Sequence, residues 1–488
     1  MIIEPIGFVA LILGVLILRQ GPNFGLIAII FASLLGTAAA IKLPALGGSS
    51  VVVAHFLMPF YVVSVARTLF GVPGMLYGLT ANWAGFILLC FTVYGTLTAF
   101  FIPRIFAGQI EVFAITRDAA ERSSIVVTPL AFGSGNITQT VYLIGDLVMF
   151  AAVFAHVRAL GIGVVIVGFA LAAFGNFTFG MIDWLTDRYG MTELLAPIRN
   201  ANYAIVTEGT VGGIRRMIGS FPEPSSFGTA SLVLFALMFE FYLAGFRRRI
   251  FGWLAALQFC VTLFSLSSST LAGLSIYLAL VSIRGGVSLA ISTVHKRQIV
   301  LMAAALSLAL AIALLMVSFS GLLYWGAGII DRVLLNKLES ESGIERTLWN
   351  LQGLAAFWET AMLGAGVGSI RTSSYFVALL ANTGLIGTML MFGFFIALVR
   401  SAYGSGQSRT QTRLARCFFW ACIAALLPVL LAGTAVGLGL MFATLSASVV
   451  ALRAKDDQDA CAVPPLLNFQ HRNFGVVPVS VRPSRGLS

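Results

Sequence analysis

Phe227-Gly-Thr-Ala-Ser-Leu-Val-Leu-Phe-Ala-Leu-Met-Phe-Glu240-Phe-Tyr-Leu-Ala-Gly-Phe246-Arg247-Arg248-Arg249 is the stretch that decides the fold class. It is an apolar run broken by one acid and closed by three consecutive arginines. About 20 mostly apolar residues are what a helix needs to cross a bilayer. The arginines then mark the end that stays in the cytoplasm. Such runs recur along the whole chain of 488 residues, of which 59% are hydrophobic and only 10% charged. Soluble domains are about 45–50% apolar and about 25% charged. A soluble enzyme, a disordered chain and a nucleic-acid binder are therefore excluded. The net charge of +11 reflects scarce acids, 19 against 30 basic residues, rather than an abundance of lysine and arginine.

Working outward from 227–246, apolar periodicity predicts twelve to thirteen spanning helices: 6–18, 24–41, 51–66, 82–102, 138–157, 161–182, 227–246, 250–266, 270–284, 299–318, 376–399, 417–433 and 435–452. The expectation is an all-α polytopic membrane protein, with one transmembrane domain over 1–452 and a disordered cytoplasmic tail over 453–488. Alternating outward from Arg247–Arg249 gathers 18 basic and three acidic residues on the cytoplasmic side. The outer side receives 12 basic and 14 acidic residues, and Asp146 and Glu240 stay within the membrane. The balances of +15, −2 and −2 set the N-terminus outside and the C-terminus inside. Only the short loop holding Lys42 breaks the pattern. No cleavable signal peptide is evident in Met1–Leu18, where Glu4 replaces a basic start. The five cysteines lie in apolar runs, at helix ends or in the tail, and the four histidines are far apart. Neither a disulfide framework nor a metal site is expected, and no cofactor.

The same alternation leaves three long outer loops, near 103–137, 183–226 and 319–375. In the first, the charges of 117–122 read as a short surface helix. The stretch Thr128-Pro-Leu-Ala-Phe-Gly-Ser-Gly-Asn136-Ile-Thr-Gln139-Thr-Val-Tyr142 follows and carries amides into a span. Lipid offers amides no partner, so Asn136 and Gln139 face a cavity or another helix. Ligand contact and plain packing are equally open for them. The second loop ends Gly-Gly-Ile-Arg215-Arg216-Met-Ile-Gly219-Ser-Phe221-Pro-Glu223-Pro224-Ser-Ser-Phe-Gly228. Two prolines fix the acid Glu223 beside the arginine pair, and the serines suit a helix N-cap. The third runs from Glu345-Arg346-Thr-Leu-Trp349 to Gly364-Ala-Gly366-Val-Gly368-Ser369-Ile-Arg371-Thr-Ser373-Ser374, then Asn382-Thr-Gly384-Leu-Ile-Gly387. Its glycines bring backbone N–H groups close to a ligand or a neighbouring helix, and Arg371 adds a two-pronged donor. Arginine suits bidentate recognition of phosphate better than lysine does. Outside the cytoplasm the energy for a reaction must come from the substrate, and a lipid pyrophosphate carries its own leaving group.

These motifs resemble the O-antigen ligase and O-antigen/exopolysaccharide polymerase superfamily. The matching residues are Arg216 to Phe221 as Arg-x-x-Gly-x-Phe, Arg346 with Trp349, Gly364–Ser369, and Gly384–Gly387. The resemblance implies a helical membrane glycosyltransferase (GT-C-like) working on the periplasmic face of a bacterial inner membrane, without metal or nucleotide sugar. The ligases carry a His, usually followed by Asn, where this chain has Ser373 and Ser374. That departure favours a polymerase of undecaprenyl-pyrophosphate-linked repeat units over a ligase acting on a lipid A-core acceptor. On this reading Arg216, Arg346 and Arg371 clamp the pyrophosphate and Glu223 accepts a proton. Arg215, Arg199, Gly366, Gly368, Ser369, Ser373, Asn136 and Gln139 are the substrate-binding candidates. The partners implied are the lipid-linked glycan, membrane lipid and a chain-length regulator protein. A flippase or secondary transporter is the main rival class. It would rest on Asp146 and Glu240, which have no obvious intramembrane partner in the sequence.

Overall fold

Pro5–Gln20 (α1) and Pro22–Ala32 (α2) begin the helical part of the chain, each with a proline in its first turn. There the missing N–H has no intrahelical partner to lose. The computed structural model describes residues 1–44, 48–117, 123–202, 210–211, 214–290, 341–404 and 408–454. Helices Val53–Ala66 (α3), Gly71–Thr80 (α4), Trp83–Ile105 (α5), Ser134–Leu160 (α6), Gly163–Arg188 (α7), Pro224–Ala244 (α8), Arg248–Phe264 (α9) and Ser268–Ala290 (α10) follow. Glu341–Glu359 (α11), Tyr375–Tyr403 (α12), Arg409–Ala432 (α13) and Gly439–Arg453 (α14) complete the set. Among the described residues, α5, α6, α7, α8, α12 and α13 are long and apolar enough to cross a membrane. The pair α3 and α4, bent by 107°, makes a seventh if it counts as one span. The protein is thus a mostly helical, multi-pass membrane protein. The expected run 299–318 and the tail beyond 454 lie outside the described residues.

Several of the expected spans differ: 6–18, 250–266 and 435–452 fall on α1, α9 and α14, helices of 16, 17 and 15 residues that are not among the spans of sufficient length. The run 24–41 is an eleven-residue helix, turning at 33–38 into a strand. The turn is held from outside: Thr37 Oγ1 donates to the carbonyls of Ile198 and Ser220 at 2.9 Å each. At Gly36 a side chain would run into Phe221. At about 1.5 Å per residue α2 is far shorter than a bilayer core. The run 51–66 continues past a sharp bend into α4, which crosses α6 where Gly74 and Gly78 meet Ala155 and Phe154. Gly384, at φ 63° and ψ −163°, breaks α12 internally.

Short antiparallel strands also decorate one end of the helices, which an all-helical expectation does not include. Ile2–Ile3 (β1), Ala39–Leu43 (β2) and Ser49–Val52 (β3) form one sheet. Glu111–Arg117 (β4) and Ser123–Pro129 (β5) form a hairpin, and Thr210–Val211 (β6) pairs with Ile214–Arg215 (β7). The surface helix expected around 117–122 is therefore replaced at its described flanks by strands. Residues 112–116 and 124–128 are rich in β-branched and apolar side chains, which pack well on a pleated surface; 118–122 are outside the described residues. Lys42, the lone outer exception to the charge rule, pairs with Glu4 at 2.9 Å. Hydrogen bonds from Lys42 and Asn200 hold the Glu4 carboxyl below its ordinary range.

Helices α6 and α8 are the most enclosed, packed against α13 and α14, while α12 turns an apolar side outward. Some of the buried polar groups within the core pair across helices. Asn176 Nδ2 donates to Ser231 Oγ at 2.8 Å and Gln258 Oε1 at 2.9 Å, tying α7, α8 and α9. Glu240 meets Arg284 at 2.6 Å and accepts from Tyr277 at 3.2 Å. The sequence reading that left Glu240 without a partner is corrected: its cation, Arg284, comes from α10, at the end of the expected run 270–284.

Candidate functional site

Four charged side chains come from the segments before α8 and around α11. Arg216 comes from the segment after β7, Glu223 caps the start of α8, Arg346 lies on α11, and Arg371 follows the glycine-rich run. Burial is the main influence lowering the Arg216 guanidinium from its usual value; Glu223 opposes the shift and Arg346 adds to it. Arg371 is lowered for the same reason, with Glu223 and Glu345 opposing and Arg346 adding. Arg216 and Arg371 thus both lie within electrostatic reach of Glu223 and of Arg346. None of the ion pairs found among the described residues includes any of the four. The Nε atoms of Arg216 and Arg371 are buried without a hydrogen-bond partner. Such a group is costly to bury unless something completes it.

Each arginine is carried by a specific local device. Arg346 and Trp349 lie three residues apart and so share a face of α11. The Arg371 guanidinium sits 5.0 Å from the centroid of the buried Trp349 ring, a favourable cation–π placement. The backbone N–H of Arg371 donates to the Phe113 carbonyl at 2.9 Å, so β4 fixes its height. Ser373 N–H donates to Asn350 Oδ1 at 2.8 Å, fastening the following residues to α11 as well. Glu223 is oriented by its own helix: Ser225 and Ser226 both donate to its Oε1. The serines therefore hold the acid and do not cap the helix; Glu223 itself occupies the N-cap position, with Pro224 behind it.

Arg216 is positioned by a residue that sequence reading missed. Asp183, near the end of α7, is 1% exposed and accepts the N–H groups of Ile218 and Gly219 at 2.9 and 3.1 Å. It also takes Arg199 at 2.5 Å and Arg215 at 3.4 Å. Arg215 reaches Asp187 at 2.9 Å too, and Arg199 donates to the Gly219 carbonyl. Gly219, at φ +53°, allows this turn, and a side chain there would strike Phe227. Arg199 and Arg215 are thus spent on bracing the loop that presents Arg216. The available signal was an acid at the very end of an apolar run, beside a loop rich in arginine.

The glycine-rich run is used differently from the anion cradle expected of it. Gly364, Gly366 and Gly368 have φ of +77°, +94° and +85°. A side chain would meet backbone atoms at 2.5 Å at Gly364, 2.6 Å at Gly366 and 2.4 Å at Gly368. Close approach explains all three. The amides are already engaged: Ala365 and Gly366 donate to the carbonyls of Ala381 and Asn382, Gly368 and Ile370 to Asn382 Oδ1, and Ser369 to Gly366. Asn136 Nδ2 donates to the Val367 carbonyl and Ser369 Oγ, at 2.9 and 2.8 Å. Asn136, Gly366, Gly368 and Ser369 therefore form a clasp between α6 and α12 that delivers Arg371. Ser373 is buried, and Gln139 is half-buried one turn further along α6.

Arg104 stacks over Phe132 at 3.7 Å. No group of His, Cys, Asp and Glu suited to a metal ion occurs among the described residues. No known protein-family model matches the chain, and no curated protein matches it in sequence.

Proposed function

We propose that the protein polymerises glycan repeat units carried on undecaprenyl pyrophosphate at the periplasmic face of a bacterial inner membrane. The observation behind this reading is that Arg216 and Arg371, each within electrostatic reach of Glu223 and Arg346, keep a buried guanidinium Nε without a hydrogen-bond partner. A pyrophosphate supplies the acceptor oxygens those groups lack, and arginine forks match its geometry. In the proposed step a sugar hydroxyl of one lipid-linked unit attacks the anomeric carbon of the growing chain. The bond from that carbon to the pyrophosphate oxygen breaks, and the electron pair leaves with the lipid pyrophosphate. Glu223 Oε2 takes the hydroxyl proton, while the serines hold Oε1. Fixed positive charge where negative charge develops is commonly the largest catalytic contribution. The superfamily resemblance and the orientation with the N-terminus outside belong to the same proposal, as does a chain-length regulator as partner.

The test is polymer formed by Arg216→Lys, Arg346→Lys and Arg371→Lys at matched protein abundance. Removing one preorganised donor costs roughly 10²–10³ in rate, so each change leaves little polymer. Arg104→Lys, on the first loop, stays near wild type. Normal polymer from Arg216→Lys and Arg371→Lys sinks the clamp.

A further inference from the structure

α11 presents two unlike faces. Arg346, Trp349, Gly353, Ala356 and Phe357 face inward: Trp349, Ala356 and Phe357 are buried, and Gly353 lies against Thr372 and Val377. On the opposite side Ile344, Leu348, Leu351 and Trp358 are 52%, 51%, 59% and 63% exposed. Their spacing of four, three and seven residues keeps them in one stripe along a helix. Four large apolar side chains in line on an outer-loop helix need a covering of matching chemistry.

We infer that α11 lies in the plane of the outer membrane surface, with this stripe seated among lipid acyl chains next to the headgroups. Three observations choose lipid over a protein partner. The stripe continues a lipid-facing side, because α11 packs on α12 and α12 exposes Phe376, Ile386, Met389, Phe392 and Ile396. Trp358, at the end of the stripe nearest the Gly-rich run, is the residue type that settles at the boundary between lipid and water. Acidic Glu345 and Glu359 border the stripe, while Arg346 lies on the opposite face of the helix, so apolar burial rather than headgroup charge holds the helix. The consequence is positional. A helix floated at the surface by one face holds Arg346 and Trp349, on its other face, at headgroup depth. The inference stands without the proposed reaction, yet it puts the arginines where the phosphates of any membrane lipid are found.

Bimane attached at Leu348→Cys, and separately at Leu351→Cys, tests it in the full chain. Cys90, Cys260 and Cys461 are replaced by serine and the buried Cys417 and Cys422 are kept. The protein is reconstituted in phosphatidylcholine vesicles whose chains are brominated close to the headgroup or close to the tail end. A label at Phe392→Cys on α12 serves as the deep reference. The expected result is loss of emission at 348 and 351 with headgroup-end bromines, a smaller loss with tail-end bromines, and little loss with iodide on both sides. Strong quenching by iodide places the stripe in water, quenching by neither places it against protein, and dominant tail-end quenching makes α11 a span. Each of these overturns the inference. No polymer is measured, so any of them leaves the proposed reaction to its own test.

Discussion

Asp183 shows what a single residue does for this site. It is nearly fully buried and satisfies two arginines and two backbone amides that would otherwise be left in a poorly hydrated loop. Asp183→Ala leaves Arg199, itself 8% exposed, without its counter-charge. Losing one partner of a buried pair costs about 3–5 kcal/mol. Thermal unfolding in detergent is expected to shift down clearly, and Asp183→Ala combined with Arg199→Leu to recover part of the loss. Unchanged unfolding of the single variant contradicts the bracing role. At this scale the sequence was legible for the four charged residues, because Arg-x-x-Gly-x-Phe and Pro-Glu-Pro are local patterns. It was silent about which arginines are free, since Asp183 meets Arg199 and Arg215 only through the fold. Serines read as caps became ligands of Glu223 for the same reason: a cap and a side-chain pair look alike in one dimension.

Among the elements, the turn between α11 and α12 combines positive φ with close backbone approach. Gly368 and Gly108 have similar positive φ, +85° and +71°, but their surroundings differ. A side chain at Gly108 meets nothing within 4 Å, whereas one at Gly368 meets the Gly135 carbonyl at 2.4 Å. Left-handed backbone alone costs an ordinary residue about 1–2 kcal/mol. Gly108→Ala is expected to lower stability by about that much, and Gly368→Ala by clearly more, because α6 must also move. Equal unfolding temperatures for the two variants count against the clasp. Asn382→Ala is a companion case: its amide accepts from Gly368 and Ile370 and donates to Ile370 and Ala378, so the variant strands buried backbone groups. It too is expected to unfold earlier than the parent in the same assay, and an unaltered transition rules the linkage out. Helix existence was legible from apolar length for every described long span. The ends were not, because Thr37 stops α2 through contacts to 198 and 220, and the hairpin of β4 and β5 hides behind charges spaced like a helix face.

Over the whole molecule, the described residues gather basic side chains at one end of the helical bundle. At one end Arg158 donates to the Ala454 carbonyl at 2.8 Å, Arg453 lies against Gly404, and Arg248 and Arg413 approach Gly245. The ends of α6, α8, α12 and α14 and the starts of α9 and α13 therefore gather there, rich in arginine. At the other end sit the Glu4–Lys42 pair, the Asp183 cluster and the clasp of Asn136, where acids offset most of the basic charge. Even the exceptional Lys42 fits once its partner Glu4 is seen, since a neutralised lysine exerts little pull on orientation. Basic residues are held on the cytoplasmic side during insertion. Glu193 and Ser408 are exposed at the two opposite ends and make a direct test. With accessible native cysteines replaced, Glu193→Cys is expected to react with an impermeant thiol reagent added outside spheroplasts, and Ser408→Cys to react only after the membrane is opened. Reaction of Ser408→Cys in sealed spheroplasts, or of both positions alike, reverses the orientation. It then moves the arginine cluster to the cytoplasmic side, where a nucleotide-activated donor could reach it and the lipid-pyrophosphate chemistry loses its rationale.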